Sequence, residues 1–133
     1  MGHSPLRVAL VDDDDDLRAM VALSLKLSHG CALLSCASAE QALRELPAFR
    51  PDVIVLDYMM PRFSGAQFRA RQLANPETSD VPVILVSAVA DLESHADALR
   101  PFAVLQKPID PDQLVSLVRQ ASASYLGRHA PRG

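Results

Sequence analysis

Asp12, Asp13 and Asp57 are carboxylates placed where apolar runs end: Val8-Ala9-Leu10-Val11 leads into the acidic pair and Val53-Ile54-Val55-Leu56 leads into Asp57. A third run, Ala103-Val104-Leu105, is followed closely by Lys107-Pro108, and a fourth, from Val81 to Val86, ends at Ser87. Carboxylates within ~4 Å of one another repel by about 1–4 kcal/mol per pair, depending on the effective dielectric. A divalent cation offsets that cost. Oxygen ligands with no histidine or cysteine beside them select a hard ion, and Mg2+ commonly takes one or two carboxylates plus a phosphate oxygen. The pattern assigns Mg2+ to Asp13 and Asp57, with Asp12 acting mostly through a metal-bound water and the backbone carbonyl of Met59 supplying a further oxygen. Asp57 can then act as a nucleophile toward a phosphoryl group and become an acyl phosphate. Lys107 neutralises charge on the transferring oxygens as a compact cation, and Ser87 donates its hydroxyl to one of them. The chain has only two lysines, Lys26 and Lys107, so an ammonium at that strand end is not a common surface feature of this sequence.

For such residues to meet, distant strand ends must converge. The apolar runs at Val8 to Val11, Ala32 to Cys36, Val53 to Leu56, Val81 to Val86 and Ala103 to Leu105 read as strands. Helical patterns fill the intervals: Asp14 to Ser28 ending near Gly30, Ser38 to Leu46 stopped by Pro47, Gly65 to Leu73 stopped before Asn75-Pro76, about 91–99, and Pro111 to Tyr125. Ser38 with Gln41 forms an S-x-x-Q capping box, and Asp110-Pro111 supplies an N-cap followed by proline at the first helical position. Strand and helix alternate throughout, which predicts an α/β domain with a parallel sheet covered on both faces. Ligands of such sheets bind beyond the carboxyl ends of the strands, where all the polar residues named above lie.

At 133 residues the chain has the size of one domain. Residues 1–5 are expected to be disordered or a cloning remnant, residues 6–126 to form the domain, and residues 127–133 to be a flexible tail. With 49% hydrophobic and 22% charged residues and no apolar stretch near the ~20 residues of a membrane helix, the expectation is a cytoplasmic protein with no membrane contact. The formal charge of −3 and scattered arginines give no electrostatic case for direct nucleic-acid binding. Cys31 and Cys36 fit neither a CxxC pair nor a zinc site and read as reduced, partly buried fillers. His3, His29, His95 and His129 show no metal-ligand spacing and are assigned to the surface. The run Asp12 to Asp16 fails as a calcium loop, because the glycine and the bidentate glutamate that such a loop requires fall on Leu17 and Leu23. Asp14, Asp15 and Asp16 are assigned to a helix N-terminus, favoured by the helix dipole.

The motifs Leu10-Val11-Asp12-Asp13, Asp57 with Met60-Pro61 and Gly65, Pro82 to Ala88, and Lys107-Pro108 together resemble the receiver domain of bacterial two-component response regulators, in particular the stand-alone chemotaxis type. That resemblance spans Leu6 to about Leu126. It implies a flavodoxin-like five-stranded sheet in the order 2-1-3-4-5 and a cis peptide bond between Lys107 and Pro108. It also implies phosphoryl transfer to Asp57 from a sensor histidine kinase or phosphotransfer protein, with Ser87 as a switch hydroxyl and a changed affinity for a downstream protein. On this reading the chain is not an enzyme toward other molecules, acting only on its own aspartate, and it is a monomer or weak dimer. Two departures stand out. Val104 occupies the position where such domains place an inward-swinging Tyr or Phe, and Arg100-Pro101 replaces the usual Gly-Ala before the fifth strand. Apolar Met59 and Val89 stand where polar residues position the hydrolytic water, which predicts slow autodephosphorylation. Two other readings compete: a degenerate receiver acting as a phosphorylation-independent interaction module, and a Mg2+-dependent phosphohydrolase using Asp12-x-Asp14, for which the chain leaves no room for a substrate cap.

Overall fold

In the computed structural model, residues 5–27, 30–60, 62, 64–88 and 99–128 are described. They form β1 (Leu6–Val11), α1 (Asp15–Leu27), β2 (Cys31–Cys36), α2 (Ala39–Phe49), β3 (Val53–Asp57), α3 (Gly65–Ala74), β4 (Val83–Ser87), β5 (Ala103–Gln106) and α4 (Pro111–Arg128). All strand pairs are parallel, and the sheet order is β2-β1-β3-β4-β5. Residues 91–98 of the helix predicted over about 91–99, Val89 and the four histidines lie outside the described residues.

Alternation along the strands sorts the core into two layers. Ala9, Val11, Ile54, Leu56, Val83 and Leu85 pack with Ala39, Ala42 and Leu46 of α2 and Phe68 of α3. On the opposite face Val8, Leu10, Val53, Val55, Ile84 and Val86 pack with Val21 and Leu25 of α1 and Leu114, Val118 and Ala121 of α4. Every residue of β3 and β4 is buried, as expected for central strands covered on both sides. β3 and β4 therefore present functional groups only at their ends.

Several boundaries differ from the sequence expectation for identifiable reasons. α2 runs through Pro47 to Phe49 instead of stopping there. Pro47 removes one N–H near the end of the helix, while Arg7 holds the last turn: its Nε donates to the Phe49 carbonyl at 2.7 Å and its guanidinium lies 4.3 Å from the Phe49 ring centroid. Arg50 then closes the helix in a left-handed conformation with φ 56° and donates its N–H to the Leu46 carbonyl at 2.9 Å. Ser38 accepts from the Gln41 N–H, but the Gln41 side chain accepts from the Ala37 N–H instead of completing the box at Ser38. The complete capping box belongs to α3, between Ser64 and Gln67. β4 begins at Val83 because Val81 is turned toward the Thr78 carbonyl and Pro82 has no N–H to donate. α4 continues to Arg128, so Gly127 and Arg128 are helical and not part of a tail.

Candidate functional site

Asp12 leaves β1 with its N–H still bonded to the Cys36 carbonyl at 3.1 Å, and its side chain is 1% exposed. Its Oδ1 accepts the Asp14 N–H at 2.9 Å, while Asp14 Oδ1 accepts the N–H groups of Asp16 and Leu17. Asp14 is thus the N-cap of α1, and this ladder of local bonds fixes the β1–α1 turn. Arg18, which sequence reasoning left among the scattered arginines, donates to the Asp12 backbone carbonyl at 2.8 Å and pairs with Asp15. An arginine on the first turns of α1 carried no sequence signal distinguishing it from a solvated side chain.

Asp57 is the last residue of β3 and is 3% exposed. Its Oδ1 accepts the Met59 N–H at 3.1 Å, and its Oδ2 lies 3.5 Å from Lys107 Nζ. Behind it the chain turns sharply: Gly65 N–H donates to the Tyr58 carbonyl at 2.9 Å, and a Cβ on Gly65 would stand 2.7 Å from Tyr58 Cα and 3.1 Å from the Asp57 carbonyl oxygen. Glycine is required there by close approach of two backbones. Met59 contributes its backbone, with its side chain in solvent.

Lys107 enters from the end of β5 through a peptide bond to Pro108 that is cis, as the resemblance implied. Its ammonium lies 3.2 Å from Asp12 Oδ2 and 3.5 Å from Asp57 Oδ2. Ser87 ends β4, fully buried, and its carbonyl accepts the Lys107 N–H at 2.8 Å. Since Asp57 pairs with Val86 and Ser87 with Gln106, all these groups emerge at one edge of the sheet.

Asp12, Asp13 and Asp57 each offer a carboxylate oxygen within 4.8 Å of the others. One ammonium does not balance three carboxylates. Burial, then the Asp12 charge, push the Asp57 carboxyl up to about 6 against the opposing pull of Lys107 and the Met59 N–H. Burial alone would lower Lys107, but the two carboxylates outweigh it and hold its pKa above the ordinary value. Apart from that ion pair, buried Asp12 Oδ2 has no hydrogen-bond partner among the described residues. An under-satisfied buried oxygen in an all-oxygen cluster of excess negative charge fits a hard divalent cation.

Elsewhere the expectations meet simple packing. Cys36 is buried and Cys31 half-buried, neither in a disulfide, and burial pushes Cys36 up to about 11. Val104 packs into the layer beneath α2 and α3, while Phe102 stays exposed. No helix among the described residues is long and apolar enough to cross a membrane.

Comparison with known proteins agrees with this geometry. The family model described as the response regulator receiver domain matches residues 8–119. Protein Rrf1 of Nitratidesulfovibrio vulgaris is 34% identical over 123 residues, covering 91% of this chain and 86% of the relative. The phosphate regulon transcriptional regulatory protein PhoB of Pseudomonas aeruginosa is 29% identical over 84% of this chain, which spans only 49% of that longer protein. Among solved structures, a putative response regulator from Chloroflexus aurantiacus superposes with a TM-score of 0.82 at 28% identity, covering 90% of this chain and 98% of its own. With its parallel sheet and its match across most of the sequence, the chain belongs to the response regulator receiver domain family.

Proposed function

We propose that this receiver domain accepts a phosphoryl group on Asp57 and thereby changes its affinity for a protein partner. The observation that carries this reading is the convergence of Asp12, Asp13 and Asp57 from two strand ends, with Lys107 from a third placed against two of them. A carboxylate at about 6 is mostly ionised at neutral pH and so available as a nucleophile. In the transfer, an Asp57 carboxylate oxygen forms a bond to phosphorus as the phosphorus–nitrogen bond of a donor phosphohistidine breaks. The imidazole leaves with the bonding electrons and takes up a proton. Lys107 compensates charge on the phosphoryl oxygens, and the Ser87 hydroxyl, at the end of the neighbouring strand β4, donates to one of them. Mg2+, held by Asp13 and Asp57, by Asp12 through water and by the Met59 carbonyl, would supply the charge neutralisation that lets an anionic donor approach three carboxylates. A histidine kinase or phosphotransfer protein is the donor this chemistry calls for.

The same residues predict a long-lived acyl phosphate. The exposed, apolar side chain of Met59 offers no hydrogen bond to orient an attacking water. Met59→Asn is expected to shorten the phosphoryl lifetime; a lifetime of seconds in the wild type, unchanged by that substitution, contradicts the reading.

Incubation with Mg2+ and acetyl phosphate tests the proposal directly. A mass increment of one phosphoryl group, absent in Asp57→Ala, is the expected result. Wild-type protein without an increment would favour a phosphorylation-independent interaction module, and turnover of small phosphate esters would favour a hydrolase.

A further inference from the structure

α3 is fastened at two places to segments of different function. At its first residue, Gly65 donates to the carbonyl of Tyr58, the neighbour of Asp57, at 2.9 Å. One turn later stands Arg69, an arginine only 6% exposed. Its described hydrogen bonds all go to uncharged oxygens: Nε to the Leu99 carbonyl at 2.9 Å, Nη2 to the Arg100 carbonyl at 3.0 Å and Nη1 to Gln72 Oε1 at 2.7 Å. Gln72, itself fully buried, passes the bonding on to the Thr78 and Val81 carbonyls at 2.8 and 3.0 Å. This burial lowers the Arg69 pKa. A guanidinium is seldom buried without a ligand that fixes its place.

The segment that Arg69 grips is itself unusual. Arg100 is held at φ 49°, a left-handed conformation that is strained for a non-glycine residue. Two residues on, the Phe102 N–H donates to the Val83 carbonyl at 2.7 Å and starts the β4–β5 pairing that ends at Lys107. Phe102 presents an exposed ring. A strained residue whose carbonyl is held by a buried planar fork is a place where loss of the fork would let the backbone relax. Rigid α3 links that fork to the backbone beside Asp57.

We propose that Arg69 is a positioning residue that relays the phosphorylation state of Asp57 through α3 to residues 99–102 and the exposed Phe102. The relay rests on Asp57 being the phosphoacceptor. Arg69 touches neither the acidic cluster nor the transferring group, so its removal is expected to spare phosphorylation and abolish its consequence.

The test is backbone hydrogen exchange across residues 99–106 of the full chain, before and after treatment with acetyl phosphate and Mg2+, with intact mass giving the extent of phosphorylation. In the wild type, phosphorylation is expected to change exchange rates there by about fivefold or more. Arg69→Met is expected to keep the mass increment and lose that response, and Arg69→Lys, which keeps the charge without the fork, to retain part of it. Val21→Ala, a destabilising change on the opposite face, is expected to leave the response intact. An undiminished response in Arg69→Met, a lost response in Val21→Ala, or a phosphorylated wild type with no response overturns the relay. Absence of the mass increment in the wild type overturns the acceptor reading and the relay with it. If Arg69→Met does not fold, Arg69→Lys decides: a reduced response supports the relay and an unreduced one overturns it.

Discussion

Asp57 is held in the fold at an energetic cost. Burial and Asp12 raise its pKa to about 6, above the ~3.9 of an unfolded aspartate. Between those values the native state binds the proton more tightly, so without divalent cation the Asp57 contribution falls as pH rises from about 4 to about 6 and stays low above that. Asp57→Asn retains an acceptor for the Met59 N–H and removes the penalty. Its stability gain is expected to be about 1–3 kcal/mol at pH 7 and to vanish near pH 4; urea denaturation at the two pH values checks both ends, and equal gains at both contradict the assignment. A second expectation concerns the thiols. Cys36 is buried with its pKa near 11 and Cys31 is half-buried, so iodoacetamide at pH 8 is expected to label native Cys31 well before Cys36, with the difference lost in denaturant. Asp12, Asp13, Asp57 and Lys107 were legible in the sequence because each follows an apolar run, and a parallel sheet gathers strand ends. Arg18, Arg69 and Gln72 were not. Their bonds go to carbonyls at Asp12, Leu99, Arg100, Thr78 and Val81, partners that depend on three-dimensional placement and leave no spacing pattern.

Elements position the site through their ends. α3 starts at a glycine because Tyr58 and Asp57 backbone atoms occupy the space of a Cβ. Gly65→Ala is therefore expected to destabilise the fold by about 1–3 kcal/mol, opposite in sign to the gain of up to about 1 kcal/mol that helix propensity alone would give, and to weaken metal binding by displacing Asp57. Ser64→Ala, which removes the Gln67 N–H acceptor, is expected to cost about 1 kcal/mol with metal binding unchanged. Thermal melts with and without Mg2+ separate the two; a Gly65→Ala protein with wild-type stability contradicts the close-approach account. Capping shows why boundaries were harder to read than elements. The S-x-x-Q pattern occurs at both Ser38 and Ser64, and only the path of the chain before the helix decides whether the glutamine closes onto the cap residue or onto the one before it. Likewise Pro47 looks like a stop in the sequence, whereas Arg7, far away in the chain, secures the turn beyond it.

For the whole molecule, two core layers and a shared edge make stability and site chemistry one linked equilibrium. A cation that binds only the folded state stabilises it by about 2.7 kcal/mol at a hundredfold excess over its dissociation constant. Mg2+ is accordingly expected to raise the melting temperature of the wild type at pH 7, to raise it less in Asp13→Ala, and to raise it less near pH 4, where Asp57 is protonated. The architecture was legible because β3 and β4 are continuous apolar runs of central strands. The order β2-β1-β3-β4-β5 came from resemblance, since apolar runs alone do not say which strand lies beside which. On the proposed function, Asp57 and no other carboxylate of the cluster forms the acyl phosphate. Borohydride reduces a phosphorylated aspartate to homoserine, so peptide mass spectrometry after treatment with acetyl phosphate, Mg2+ and borohydride reads the site directly. Homoserine at position 57 alone is the predicted result; homoserine at Asp12 or Asp13, or none in the chain, would contradict it.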